Sequence, residues 1–159
     1  MDTTVPISVT VNGLAVRRRV EPRQSLVDFL RYGLELTGSH VGCEHGACGA
    51  CTVRVDGAIV RGCLMLAVQC DGGRVETIEG VAGTGEAFDL QQAFAQENAL
   101  QCGFCTPGML LTAQDLLART PGASVHEIRE ALSGNYCRCT GYHAIVEAVR
   151  KTAEARRRA

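Results

Sequence analysis

The chain has 159 residues, 46% of them hydrophobic, with 16 basic and 17 acidic side chains and a net charge of -1. That length and apolar fraction allow one domain or two small ones, while an aromatic content of 4%, no tryptophan and a near-neutral balance leave little to stack on bases or attract phosphate, so no nucleic-acid partner is expected. The opening residues carry no basic region followed by an apolar run, and no window reaches the length of a membrane span, from which a soluble, cytoplasmic chain with no membrane span is expected.

In the first half, "ISVTV" and "LAVRRRV" flank Asn12-Gly13, and "TVRV" and "AIVR" flank Asp56-Gly57. Both dipeptides are strong two-residue hairpin signals, so two hairpins are predicted. Between them "SLVDFLRYGL" predicts a helix with Ser25 as N-cap, Asp28 three residues on, and Gly33 as its stop. "RVETI" predicts a last short strand ending near residue 78. The next stretch, "EGVAGTGEAF", is small and glycine-rich without an apolar period, and Phe88 stands where a dinucleotide loop would need its third glycine. A linker or turn is the reading.

Beyond it the period becomes helical. "DLQQAFAQEN" is short and amphipathic, and "TPGMLLTAQDLLART" starts with Thr106 as cap and Pro107 at the first helical position. "SVHEIREALSG" has Ser124 and Glu127 as a capping box and Gly134 as its stop. "HAIVEAVRKTAEARR" puts Ile145, Val146 and Val149 on one face, and the basic end is read as a solvated helix terminus. Four helices must therefore pack on one another in the second half.

The nine cysteines organise the functional reading. Their number is odd, no secretory signal is seen and eight of them are tightly clustered, which points to metal rather than a disulfide framework. Cys43, Cys48, Cys51 and the more distant Cys63 form C-x4-C-x2-C…C, the plant-type spacing for a [2Fe-2S] cluster. A zinc site more often uses two C-x2-C knuckles or admits histidine, so zinc stays as the alternative. Gly46 and Gly49 are spacers that let backbone N–H groups close around the sulfurs, with Gly42 either a third such residue or an ordinary turn glycine.

Cys102, Cys105, Cys137 and Cys139, as C-x2-C and C-x-C, supply four more thiolates, enough for a second cluster. A thioredoxin-like pair at Cys102 and Cys105 would need a βαβ setting and would leave the C-x-C unexplained. Cys70, in "LMLAVQC", reads as a buried small hydrophobe, and His45 as a loop residue, since a Rieske centre needs two suitably placed histidines. No Walker loop, dinucleotide fingerprint or nucleophile–base motif is found, so no catalytic residue is assigned.

Taken together, "GCEHGACGACTVRVDG" with Cys63, "LQCGFCTPGML" and "GNYCRCTGY" resemble the iron-sulfur small subunit of the molybdenum hydroxylases, the xanthine dehydrogenase, aldehyde oxidase and carbon monoxide dehydrogenase family, over about residues 9–149. In the detail of "CEHGAC" the likeness is closer to the carbon monoxide dehydrogenase-like bacterial small subunits. The resemblance implies an α+β chain: a β-grasp, plant-type ferredoxin-like [2Fe-2S] domain over 1–79, then a four-helix [2Fe-2S] domain over 80–159.

It further implies that Cys102, Cys105, Cys137 and Cys139 hold a molybdenum-proximal cluster, and Cys43, Cys48, Cys51 and Cys63 a flavin-proximal one. Gln101 and Cys139 would contact the pterin of a partner. The implied partners are a large molybdopterin subunit, with its cofactor in dinucleotide form, and an FAD-binding medium subunit, assembled as a dimer of heterotrimers. Electrons would pass from the molybdopterin toward the flavin. A freestanding two-cluster ferredoxin and a structural zinc module are the alternatives.

Overall fold

The computed structural model describes residues 3–158. A five-stranded sheet comes first, built from β1 (Val5–Val11), β2 (Leu14–Val20), β3 (Thr52–Val55), β4 (Ala58–Arg61) and β5 (Arg74–Glu76) in the order β2-β1-β5-β3-β4. Among the described residues only the central β1–β5 pair is parallel. Both predicted hairpins form: Asn12 and Asp56 sit at φ 50 and 48, each followed by a glycine also at positive φ, as two-residue turns matched to strand twist require.

Alternation along β1 buries Ile7, Val9 and Val11. Against that face packs α1 (Leu26–Asp28), which widens into a π-helical turn over Phe29–Gly33 and buries Leu26, Phe29 and Leu30. Ser25 caps it as expected, its Oγ accepting the Asp28 N–H at 3.2 Å. A 3-10 turn at Ala67–Cys70 closes this core and places Cys70 inside it, so the apolar reading of that cysteine holds.

The helical part comprises α2 (Ile78–Thr84), α3 (Phe88–Gln96), α4 (Thr106–Arg119), α5 (Val125–Leu132) and α6 (His143–Arg158). The four expected helices are present, and α2 corrects the sequence reading of a linker. Its Ile78 and Val81 are buried in the helical core, and Gly80 lies so close to Asn12 that a Cβ there would stand 2.3 Å from Asn12 Oδ1. Tertiary packing thus overrides the low helix propensity of a segment with two internal glycines.

A second correction concerns α4. The residue before its first turn is Cys105, whose carbonyl already accepts the Met109 N–H at 3.0 Å, so Thr106 is the first helical residue and not the cap. The capping box of α5 is as predicted, with Glu127 N–H on Ser124 Oγ and Ser124 N–H on Glu127 Oε2 at 2.7 Å. That helix ends at Leu132, before Gly134. On α6, Ile145, Val146 and Val149 face the core. Its basic end is only partly solvated: Arg156 binds Asp89 at 2.7 and 2.8 Å and Gln114 at 2.8 Å, while Ala159 lies outside the described residues.

The two parts are joined by polar contacts as well as by chain. Arg54 on β3, its side chain 12% exposed, donates to Glu76 on β5 at 3.2 Å and to Glu86, ahead of α3, at 2.9 Å. Gln114 on α4 also donates to Glu86, at 3.1 Å.

Candidate metal centres

The loop from the π-helical turn to β3 carries Cys43, Cys48 and Cys51, and the turn after β4 brings Cys63 beside it. Two backbone donors point at sulfur: the Cys48 N–H reaches Cys43 Sγ and the Cys63 N–H reaches Cys51 Sγ, both at 3.4 Å. Their effects on ionisation differ with burial. The Cys48 N–H leads the bonds that hold the half-buried Cys43 down at about 6, whereas desolvation leads in pushing the buried Cys51 up to about 11.

The glycines have separate geometric reasons. A Cβ on Gly42 would lie 3.1 Å from Cys48 Sγ. Gly46 is at φ +83 with Leu64 Cδ1 only 2.4 Å from where a Cβ would sit, and Gly49 is at φ +72 with the Gly134 carbonyl oxygen at 2.4 Å. His45 uses Nδ1 to donate to the Cys43 carbonyl at 2.5 Å, as befits a loop residue.

The second set lies at two joins between helices. Cys102 and Cys105 stand between α3 and α4, and Cys137 and Cys139 between α5 and α6. Cys139 Sγ is 3.5 Å from Cys102 Sγ. Burial first, then the neighbouring Cys137 thiol, pushes Cys105 up to about 12. Burial works to raise Cys137 too, but bonds from the Thr140 hydroxyl and N–H outweigh it and leave the thiol below its ordinary value. Cys139 is raised by its bond with Cys102. Gln101 donates from Nε2 to the Cys139 carbonyl at 3.1 Å, and both residues are exposed.

Across the chain, then, the cysteines meet as four close pairs: 43 with 48, 51 with 63, 102 with 139, and 105 with 137. Among the described residues no three His, Cys, Asp or Glu side chains gather as they would around a single ion. Pairs suit a two-iron core, in which four thiolates are shared between two metal atoms. The donor set, the inward N–H groups and the absence of a side chain at Gly42 fit such a core.

The two loops also touch. The Cys48 carbonyl accepts the Tyr136 N–H at 2.8 Å, one residue before Cys137, and the buried Asn135 donates from Nδ2 to the Gly49 carbonyl at 3.1 Å. Arg61 completes the junction, reaching the Gly134 carbonyl at 2.7 Å and Thr52 Oγ1 at 2.5 Å. His40 stacks on Phe104 with centroids 4.7 Å apart and donates to its carbonyl at 2.8 Å. Asn135, Arg61 and His40 were not singled out from sequence, where nothing distinguishes them from ordinary loop and strand polar residues.

Residues 9–75 match the family model of the 2Fe-2S iron-sulfur cluster binding domain, and residues 77–150 that of the [2Fe-2S] binding domain. The fold and site therefore define a protein with two [2Fe-2S] clusters. The chain is 54% identical to the caffeine dehydrogenase subunit gamma of Pseudomonas sp. (strain CBB1), over 91% of this chain and 88% of that one. It is 52% identical to the nicotine 6-hydroxylase small subunit of Paenarthrobacter nicotinovorans, over 91% and 87%. Among solved structures, a chain of quinoline 2-oxidoreductase from Pseudomonas putida 86 superposes with a TM-score of 0.92 at 50% identity, covering 99% of this chain and 98% of that one.

The chain belongs to the iron-sulfur small subunits of the molybdenum hydroxylase family. It is the electron-transfer subunit of an oxidoreductase complex and works with partner subunits. The freestanding ferredoxin and the zinc module are not favoured. No helix among the described residues is long and apolar enough to cross a membrane.

Proposed function

We propose that Cys43, Cys48, Cys51 and Cys63 ligate one cluster and Cys102, Cys105, Cys137 and Cys139 the other, in domains spanning 1–79 and 80–159. The observation that carries this reading is the meeting of the cysteines as four pairs, two pairs to a loop cluster. A [2Fe-2S] cluster held there supplies one-electron chemistry, cycling one iron between ferric and ferrous.

The helical-part cysteines stand on the donor side and the ferredoxin-like ones on the acceptor side. Exposure supports this: Gln101, Cys102 and Cys139 are open at the surface, where a partner's pterin would be met by Gln101 and Cys139. Exposed apolar side chains flank both sets, Leu100, Phe104 and Tyr136 near the second and Leu64 and Leu66 near the first, as surfaces for two different neighbours. The Cys48–Tyr136 hydrogen bond then lies on the way between the sets.

The partners in this reading are a large molybdopterin-dinucleotide subunit and an FAD-binding medium subunit, as a dimer of heterotrimers in the cytoplasm. Relatives named for caffeine and nicotine, and a structural neighbour named for quinoline, support a nitrogen-containing aromatic ring as the substrate class of the assembled enzyme.

Paired substitutions test the assignment. In the purified complex, Cys48→Ser is expected to remove one reduced-cluster resonance and spare the other, and Cys105→Ser to do the reverse, read by electron paramagnetic resonance. Loss of both resonances from either variant would count against two independent ligand sets.

A further inference from the structure

Cys137 is surrounded differently from the cysteines of the first set. Its sulfur lies 3.1 Å from Thr140 Oγ1 and accepts the Thr140 N–H at 3.4 Å. The state of the sulfur fixes the direction of the first contact. A thiolate can only accept, so the Thr140 hydroxyl donates to a ligating Cys137 while its Oγ1 accepts the Tyr142 N–H at 3.2 Å.

Tyr142 ties the loop a second time, its hydroxyl accepting the Cys137 N–H at 2.8 Å. Tyr142 itself is at φ +67, a conformation that this double attachment holds in place. The Thr140 hydroxyl is thus part of a short closed loop, with little freedom to turn away. By contrast, the sulfurs of Cys43 and Cys51 receive their bonds from backbone N–H groups, which no side-chain replacement removes.

We propose that the Thr140 hydroxyl sets the reduction potential of the second cluster by donating to the Cys137 sulfur, a reading that rests on Cys137 being a ligand. When one electron enters, one iron passes from ferric to ferrous, no bond is made or broken, and the cluster with its thiolates gains one negative charge. A hydrogen bond to ligand sulfur strengthens as that negative charge grows, so it stabilises the reduced state and raises the potential. Thr140 acts through Cys137 and does not itself bind iron.

The test uses the assembled enzyme with Thr140→Val, Thr140→Ala and Thr140→Ser, following each cluster's resonance through a dithionite titration at controlled potential. Removing the hydroxyl in Val and Ala is expected to lower the equilibrium constant for reduction of the second cluster about tenfold, a midpoint about 59 mV more negative for a one-electron couple. Ser should keep the wild-type midpoint, and the first cluster should not move in any variant. Wild-type midpoints in Val and Ala, with iron retained, would overturn the proposal. So would loss of the second signal in both while Ser keeps it, because the hydroxyl would then be needed for holding the cluster rather than for its potential. Cys137→Ser retaining both signals would instead overturn the ligand assignment.

Discussion

Gly49 shows how a single missing side chain couples the two halves of the chain. It lies between Cys48, whose carbonyl takes the Tyr136 N–H, and the start of β3, and its own carbonyl takes Asn135 Nδ2. A Cβ at its φ of +72 would be strained and would also stand 2.4 Å from the Gly134 carbonyl oxygen, a backbone atom that cannot swing aside. Gly57 makes a useful control, because at φ +84 it has the strain with nothing within 4 Å. Gly57→Ala is expected to cost about 1 kcal/mol and Gly49→Ala about 2–4 kcal/mol, measured by denaturant unfolding. Equal losses would mean that the junction contributes nothing at this position. The cysteine spacing and the glycines were legible in the sequence as a thiolate loop. The partner of Gly49 was not, because a contact between residues so far apart in the chain leaves no local pattern.

At the scale of elements, legibility followed the strength of local chemistry. Asn12-Gly13 and Asp56-Gly57 dictate their turns almost alone, and the Ser124–Glu127 box is a closed pair of bonds within one turn. The segment of α2 has no such signature, since its helix is settled by Ile78 and Val81 entering the helical core and by Gly80 fitting against Asn12. The same dependence on distant partners governs the joint at Arg54, which binds Glu76 and Glu86, while Arg156 binds Asp89 close by.

Arg54 holds the Glu86 carboxyl below its usual range, and Arg156 does the same for Asp89. A depressed carboxyl adds stability that is fully present above its unfolded value and is lost as pH falls through its folded one. Arg54→Met is therefore expected to lower stability by about 1–2 kcal/mol at neutral pH. Its difference from wild type should shrink as pH drops below about 4, followed by thermal unfolding across pH. A difference that stays constant in acid would assign the loss to packing rather than to the ion pairs.

Over the whole molecule, a sheet part and a helical part carry four clustered cysteines each and are joined by the Cys48–Tyr136 and Gly49–Asn135 hydrogen bonds. Arg61 and Asn135 serve the junction, and Gln101 and Thr140 the cysteine loops, as hydrogen-bonding side chains. Exposed apolar side chains at Leu64, Phe104 and Tyr136 lie beside those loops, where a subunit can meet the neighbours that give and take its electrons. This division of labour stands or falls with what the cysteines hold. The direct measurement is iron, acid-labile sulfide and zinc on the purified complex, with electron paramagnetic resonance after dithionite reduction. About four iron and four sulfide for each copy of this chain, with two distinct reduced-cluster signals, is the expected result. Zinc without sulfide, and no reduced signal from either set, would contradict it.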